Sequence, residues 1–167
     1  MRQSMSQNKR KIERMNTLEN LFKQAEEFNK KDSIFAKSIY EKIIDQIGVK
    51  DICEMDTIEL RYFALSKMRI FLSTNLNDTE SSEEAIGAFE LFFRTNDNDA
   101  EMYSSYILLL ELTYQYKRAY YTLLEMLKNE KLKPSALTFL SSYVYCSEGL
   151  QSNDECIAYE KQHSQNE

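Results

Sequence analysis

The sequence predicts an all-α chain, a solenoid of about four antiparallel helix hairpins, on three observations. Turn residues are scarce: three glycines and one proline among 167 residues, whereas sheets and long loops need such residues at their turns. Apolar residues recur every three or four positions along most of the chain, the spacing of one helix face. An internal echo completes the pattern. Ala85, Phe89, Phe92 and Phe93 return 34 residues later as Ala119, Leu123, Met126 and Leu127, and the same spacing appears earlier at Ala36, Tyr40, Ile43 and Ile44. A period of that length with helical spacing inside it marks stacked helix pairs. The echo is clean between the second and third hairpins, and the first stands 49 residues away.

The first helix is expected over 8–30, with Ile12, Met15, Leu18, Phe22, Ala25 and Phe28 on one face. Asp32 or Ser33 then offers a side-chain oxygen to cap a second helix, which carries Ala36, Ile39, Tyr40, Ile43, Ile44 and Ile47 and ends at Gly48, a natural C-terminal stop. A third helix begins near Asp56 or Thr57. Its apolar residues cover several sides, as suits a helix sandwiched between neighbours. Ser73–Ser82 is the most loop-like stretch, and Ser81 or Ser82 is expected to start helix four, which ends in the polar run 95–99. Helices five (100–114) and six (116–130) are divided by very little. Pro134 opens helix seven, a position that tolerates proline, with Gly149 after Glu148 as its stop; helix eight holds Cys156, Ile157 and Tyr159.

The length suits one domain with a real core, expected over 17–160 between a basic leader (1–16) that continues into the first helix and a polar tail (161–167). Cys53, Cys146 and Cys156 are odd in number and widely spaced, and His163 is the sole histidine, so neither a zinc site nor a disulfide framework is expected. No stretch approaches the ~20 apolar residues of a membrane span, and the N-terminus lacks the apolar core of a signal peptide. The expected location is intracellular, cytoplasmic or nuclear, with the mitochondrial matrix as the alternative. The net charge is −6, but residues 1–16 carry Arg2, Lys9, Arg10, Lys11 and Arg14 against Glu13, which leaves −10 for the remainder. An acidic body opposes phosphate-backbone binding; the leader, with Lys9, Arg10, Lys11 and Arg14, is the one candidate nucleic-acid contact.

Signals of chemistry are missing. No glycine-rich loop cradles phosphate and no G-x-S-x-G elbow is present. His163 lies in the polar tail, without fixed partners for a general base. Glu26-Glu27 and Glu83-Glu84 are adjacent in sequence and so point about 100° apart on a helix. No enzyme, cofactor, metal or small-molecule substrate is expected.

The third hairpin resembles the tetratricopeptide repeat. Tyr103, Tyr106, Ile107 and Leu110 fill the pattern of that family's first helix, and Ala119, Leu123 and Met126 that of its second. Departures are Ile107 where the family has glycine, Met126 where it has a second small residue, and Pro134 arriving late. Phe35–Ile44 resembles the second helix of HAT repeats, and Leu123–Phe139 the junction of pentatricopeptide repeats. The resemblance implies a right-handed solenoid whose first helices line a groove for a peptide, helix or complex subunit. The lysine, arginine and asparagine clamp of chaperone-tail receptors is absent from helix five, where the exposed positions are Ser104, Ser105, Leu108 and Glu111.

The expected function is therefore a non-catalytic adaptor or assembly subunit binding another protein. An RNA-associated repeat factor and a small secretion-type chaperone are the alternatives. Six tyrosines fall between Tyr103 and Tyr121, and tyrosine recurs as an interface anchor. Tyr103, Tyr106 and Tyr116 suit the core, while adjacent Tyr120 and Tyr121 cannot both face inward. The candidate partner-binding residues are Tyr103, Tyr106, Leu108, Glu111, Tyr120 and Tyr121, centred on Ala100–Leu127.

Overall fold

The computed structural model describes residues 2–139, with side chains from residue 9 onward, and within them the chain is all-α, without strands. Met1–Asp97 form one compact unit, and a second begins at Asn98. Glu148, Gly149, the expected eighth helix, Cys146, Cys156, His163 and the tail lie outside the described residues.

Helix α1 runs without a break from Arg2 to Asn29, so the basic leader is its first half. Leu18, Phe22 and Ala25 turn inward. Asp32 closes the three-residue turn that follows, accepting hydrogen bonds from the backbone N–H groups of Ile34 and Phe35. A connection that short returns α2 (Ser33–Ile47) alongside α1. Helix α2 buries Ala36, Ile39, Tyr40, Ile43 and Ile47 and stops at Gly48, whose φ of 87° and ψ of 168° lie in a region essentially reserved for glycine. The chain then makes a single 3-10 turn, Ile52–Glu54, its start fixed by the Asp51 carboxylate on the Cys53 N–H. The sequence pattern gave no hint of this turn, which is too short for any apolar period.

Helix α3 (Thr57–Ser73) opens with a reciprocal capping box: Asp56 accepts from the Glu59 N–H, and Glu59 reaches back to the Asp56 N–H. As expected of a sandwiched helix, it buries Leu60, Phe63, Ala64, Leu65, Met68, Ile70 and Phe71, and it packs on α1, α2 and α4. Helix α4 (Thr79–Phe93) starts earlier than Ser81 or Ser82. Asp78 takes the cap, its carboxylate accepting from both the N–H and the hydroxyl of Ser81. Ser81 and Ser82 are instead buried in its first turn.

In the second unit, α5 (Ala100–Leu112) is capped by Asp99. Helix α6 (Tyr116–Lys128) follows after Thr113-Tyr114-Gln115, with no side-chain cap and with Tyr114 at a φ of 59°. Pro134 sits in the first turn of α7 (Lys133–Leu137), which packs on α6 and buries Ala136. Ala36, Ala85 and Ala119 are each wholly buried. The large residues that follow them, Tyr40, Ile43, Phe89, Phe92, Leu123 and Met126, are buried too. Fully burying one such side chain stabilises by roughly 1.5–3 kcal/mol. The echo in the sequence is thus the packing face of the second helix in each hairpin.

Candidate functional site

In the first unit a groove opens beside the end of α2. The main chain leaves Gly48 through Val49 and Lys50 and carries Ile52 across to α4. There Gly87 makes room for it: a Cβ on Gly87 would stand 3.2 Å from the Ile52 Cδ1. The space between this loop, α2, α3 and α4 is a cleft of about 520 Å3, with Ile44, Val49, Ile52 and Phe63 as its apolar lining. A second cleft of about 320 Å3 shares Ile44, Asp45 and Lys67 with the first and continues along α2 to Lys37, Glu41, Asp78 and Glu80. The two are neighbouring compartments of one groove.

Its charges are unevenly matched. Lys67 lies with Nζ 5.6 Å from the centre of the Phe63 ring and pairs with Glu84. Lys50 donates to buried Glu59 at 2.5 Å, and Lys37 lies 3.8 Å from Glu41. Each lysine of the groove therefore has its carboxylate. Asp45, Asp51, Asp78 and Glu80 add negative charge beyond those pairs. A backbone hydrogen bond from Cys53 holds the Asp51 carboxyl below its usual range, and one from Ser81 does the same for Asp78. Both are firmly ionised at neutral pH. The exposed thiol of Cys53 is pushed up by its hydrogen bond with Asp51, which disfavours the nucleophilic thiolate.

The first unit is stapled from within by two ionic networks. Glu59, 4% exposed, takes Lys50, the Asp56 N–H and the Arg14 guanidinium at 2.9 Å. Arg14 also donates at 3.1 Å to the terminal carbonyls of Gln46 and Ile47, capping the C-terminus of α2. Glu26 on α1 receives a bidentate pair from Arg69 on α3, both bonds 2.8 Å, and the Tyr40 hydroxyl from α2. Burial, then the Glu26 hydrogen bond, push the Tyr40 hydroxyl well above its ordinary pKa.

The expected site residues separate sharply. Tyr106 and Tyr120 are buried, at 5% and 1% exposed, and so offer no contact surface to a partner. Both fall on the inward stripe of their helices, and desolvation raises the Tyr106 hydroxyl to about 12. Tyr103 and Glu111 are half-buried, whereas Leu108 and Tyr121 are exposed at 40% and 48%. Tyr114, at 79%, is more open than either and stands edge-on to Tyr116. Of the basic leader, Lys9 and Arg10 are exposed, while Lys11 lies 3.7 Å from Asp56. Arg14 is committed to α2 and Glu59, a role that no local pattern announces because its partners lie 32 to 45 residues away.

Comparison with known protein families, curated proteins and solved structures finds no match.

Among the described residues no group of three or more histidine, cysteine or carboxylate side chains is placed to hold a metal ion. None of the described helices is long and apolar enough to cross a membrane. The groove places apolar side chains beside carboxylates that outnumber its lysines.

Proposed function

We propose that this protein is a non-catalytic interaction module, an α-solenoid of the tetratricopeptide-like kind that serves as an adaptor or assembly subunit for another protein. The observation that carries this is the repeated construction of α2, α4 and α6. In each, a fully buried alanine permits close helix approach and the following large residues fill the core. Repeat modules of that design present extended surfaces for macromolecules. The groove of the first unit supplies such a surface, with apolar and charged groups side by side. The exposed Leu108 and Tyr121 are a second candidate patch.

The test is cross-linking and affinity purification of the full chain from its native cell, beside Val49→Asp. Val49 is fully exposed at the groove rim, so the variant folds as the parent does. Partners that vanish with Val49→Asp support the groove as the binding surface, and losses confined to Leu108→Asp would move it to the second unit. An RNA-binding role has weaker support, since Arg14 is engaged by α2 and Glu59 and Lys11 lies beside Asp56, which leaves Lys9 and Arg10 of the four expected contacts. It requires an RNA mobility shift that falls steeply with salt and is abolished by Lys9→Glu with Arg10→Glu.

A further inference from the structure

We propose that the groove of the first unit receives a basic segment of a different protein: one aliphatic side chain flanked by lysine or arginine. The inference rests on the interaction-module reading and adds the chemistry of the partner. Its apolar element is the pocket edged by Ile44, Val49 and Ile52 above Phe63, large enough for a single aliphatic group. Small-molecule sites enclose most of their ligand; here Val49 stands fully exposed at the rim, and the cleft runs on into its neighbour along α2.

Charge selects the occupant. Lys50 and Lys67 are engaged by Glu59 and Glu84, Lys37 lies 3.8 Å from Glu41 in an exposed pair, and Glu41, Asp45, Asp51, Asp78, Glu80 and Glu84 outnumber these three lysines along the groove. Asp45 and Glu80 are exposed at the groove, and Asp51 and Asp78 remain ionised while capping. Phosphate or an acidic peptide would meet this field as repulsion, while a lysine or arginine would gain attraction at little desolvation cost on an open rim. The chain's own basic helix is a poor occupant, because Lys11 and Arg14 are engaged with Asp56 and Glu59.

The experiment is selection of short random peptides displayed on phage against the full chain, followed by fluorescence-anisotropy titration of the recovered peptides. The expected peptides carry lysine or arginine around an aliphatic residue, and their affinity falls as salt is raised. Asp45→Lys and Val49→Asp alter exposed side chains and should keep the parent melting temperature while weakening binding at least about tenfold. Acidic or neutral peptides, or binding indifferent to both substitutions, overturn the inference. Binders that map elsewhere on the chain overturn it but leave the interaction-module reading standing; recovery of no binder removes both. Sedimentation covers the remaining case: a concentration-dependent dimer dissolved by Asp45→Lys would make the occupant a second copy and overturn the inference as well.

Discussion

In the first unit the helix ends and crossings are fastened by charge. Aspartates cap α2, the 3-10 turn, α3 and α4, Glu59 gathers Arg14 and Lys50, and Glu26 gathers Arg69 and Tyr40. In the second, the described core is built from Met102, Ile107, Leu109, Leu110, Leu123 and Met126, with Tyr106 and Tyr120 among them, and α6 begins without a side-chain cap. The two use the same alanine-centred second helix, and in the first unit buried carboxylates also set the register. Apolar packing tolerates sliding and repacking as long as volume is kept. A buried carboxylate that must meet particular cations does not, and leaving it or them unpaired is costly. In the first unit, Glu26 and Glu59 in this way tie α1, α2 and α3 to one register.

The sharpest way to break this contrast is Glu59→Ala. It strands Arg14 and Lys50, opens the capping box, and should lower stability by about 2–4 kcal/mol in urea unfolding, a range that allows for the two cations regaining some water. A loss below that range would mean the network is ornamental. Next come Ala36→Leu in the first unit and Ala119→Leu in the second, each expected to cost about 1–3 kcal/mol by overpacking. A smaller loss at Ala119 would fit the more adaptable apolar core. Gly48→Ala puts a side chain into a conformation that only glycine accepts comfortably and should cost about 1–2 kcal/mol, whereas the left-handed turn position of the second unit, Tyr114, already carries a side chain.

The pH dependence should also divide the units. Asp51, Asp56 and Asp78 all have lowered pKa values in the folded state. For Asp56 burial alone would raise it, and the hydrogen bonds from Glu59 and Ile58, with help from Lys11, outweigh that. Depressed carboxyl pKa values contribute stability that is present above about pH 4 and lost as pH falls through the folded values. Hydrogen exchange in acid should therefore open α3 and α4 early. Tyr106, raised to about 12, works in the opposite sense. Its contribution is complete below about pH 10 and lost as pH climbs towards the folded value. Tyr106→Phe should flatten the alkaline limb for α5, while Tyr40, raised as well, keeps a limb in the first unit. The smallest effect is a gain: Gln115→Asp supplies α6 with its missing cap and should add about 0.5–1 kcal/mol.

Much of this was legible in the sequence, for reasons that are local. Asp32 and Asp56 announce helix starts because a cap acts within three residues, and Gly48 announces a stop for the same reason. Ala36, Ala85 and Ala119 stand out because a small residue among large ones has meaning only at a close helix crossing. What stayed hidden depends on residues far apart. Nothing near Glu59 says that it will be buried, since its partners include Arg14. Gly87 reads as a weak helix residue until Ile52 is laid against it. The groove combines Ile44, Phe63 and Glu84 from three helices, so a search centred on the tyrosines of Ala100–Leu127 passes it by. Among those tyrosines, spacing alone did not separate Tyr120, which is buried, from Tyr121, which is exposed.

The grip of Arg14 has a consequence for the order of events as the chain is made. The first helix emerges early, but the carbonyls of Gln46 and Ile47 and the carboxylate of Glu59 that anchor it follow 32 to 45 residues later. At a synthesis rate of about 5–20 residues per second, that interval is roughly 2–9 seconds. For that time Arg14, at the basic end of the helix, is without its partners in the fold, although the far end can already pack on α2. A chaperone or the eventual partner that meets the chain in that interval finds the Arg14 end of this helix still open.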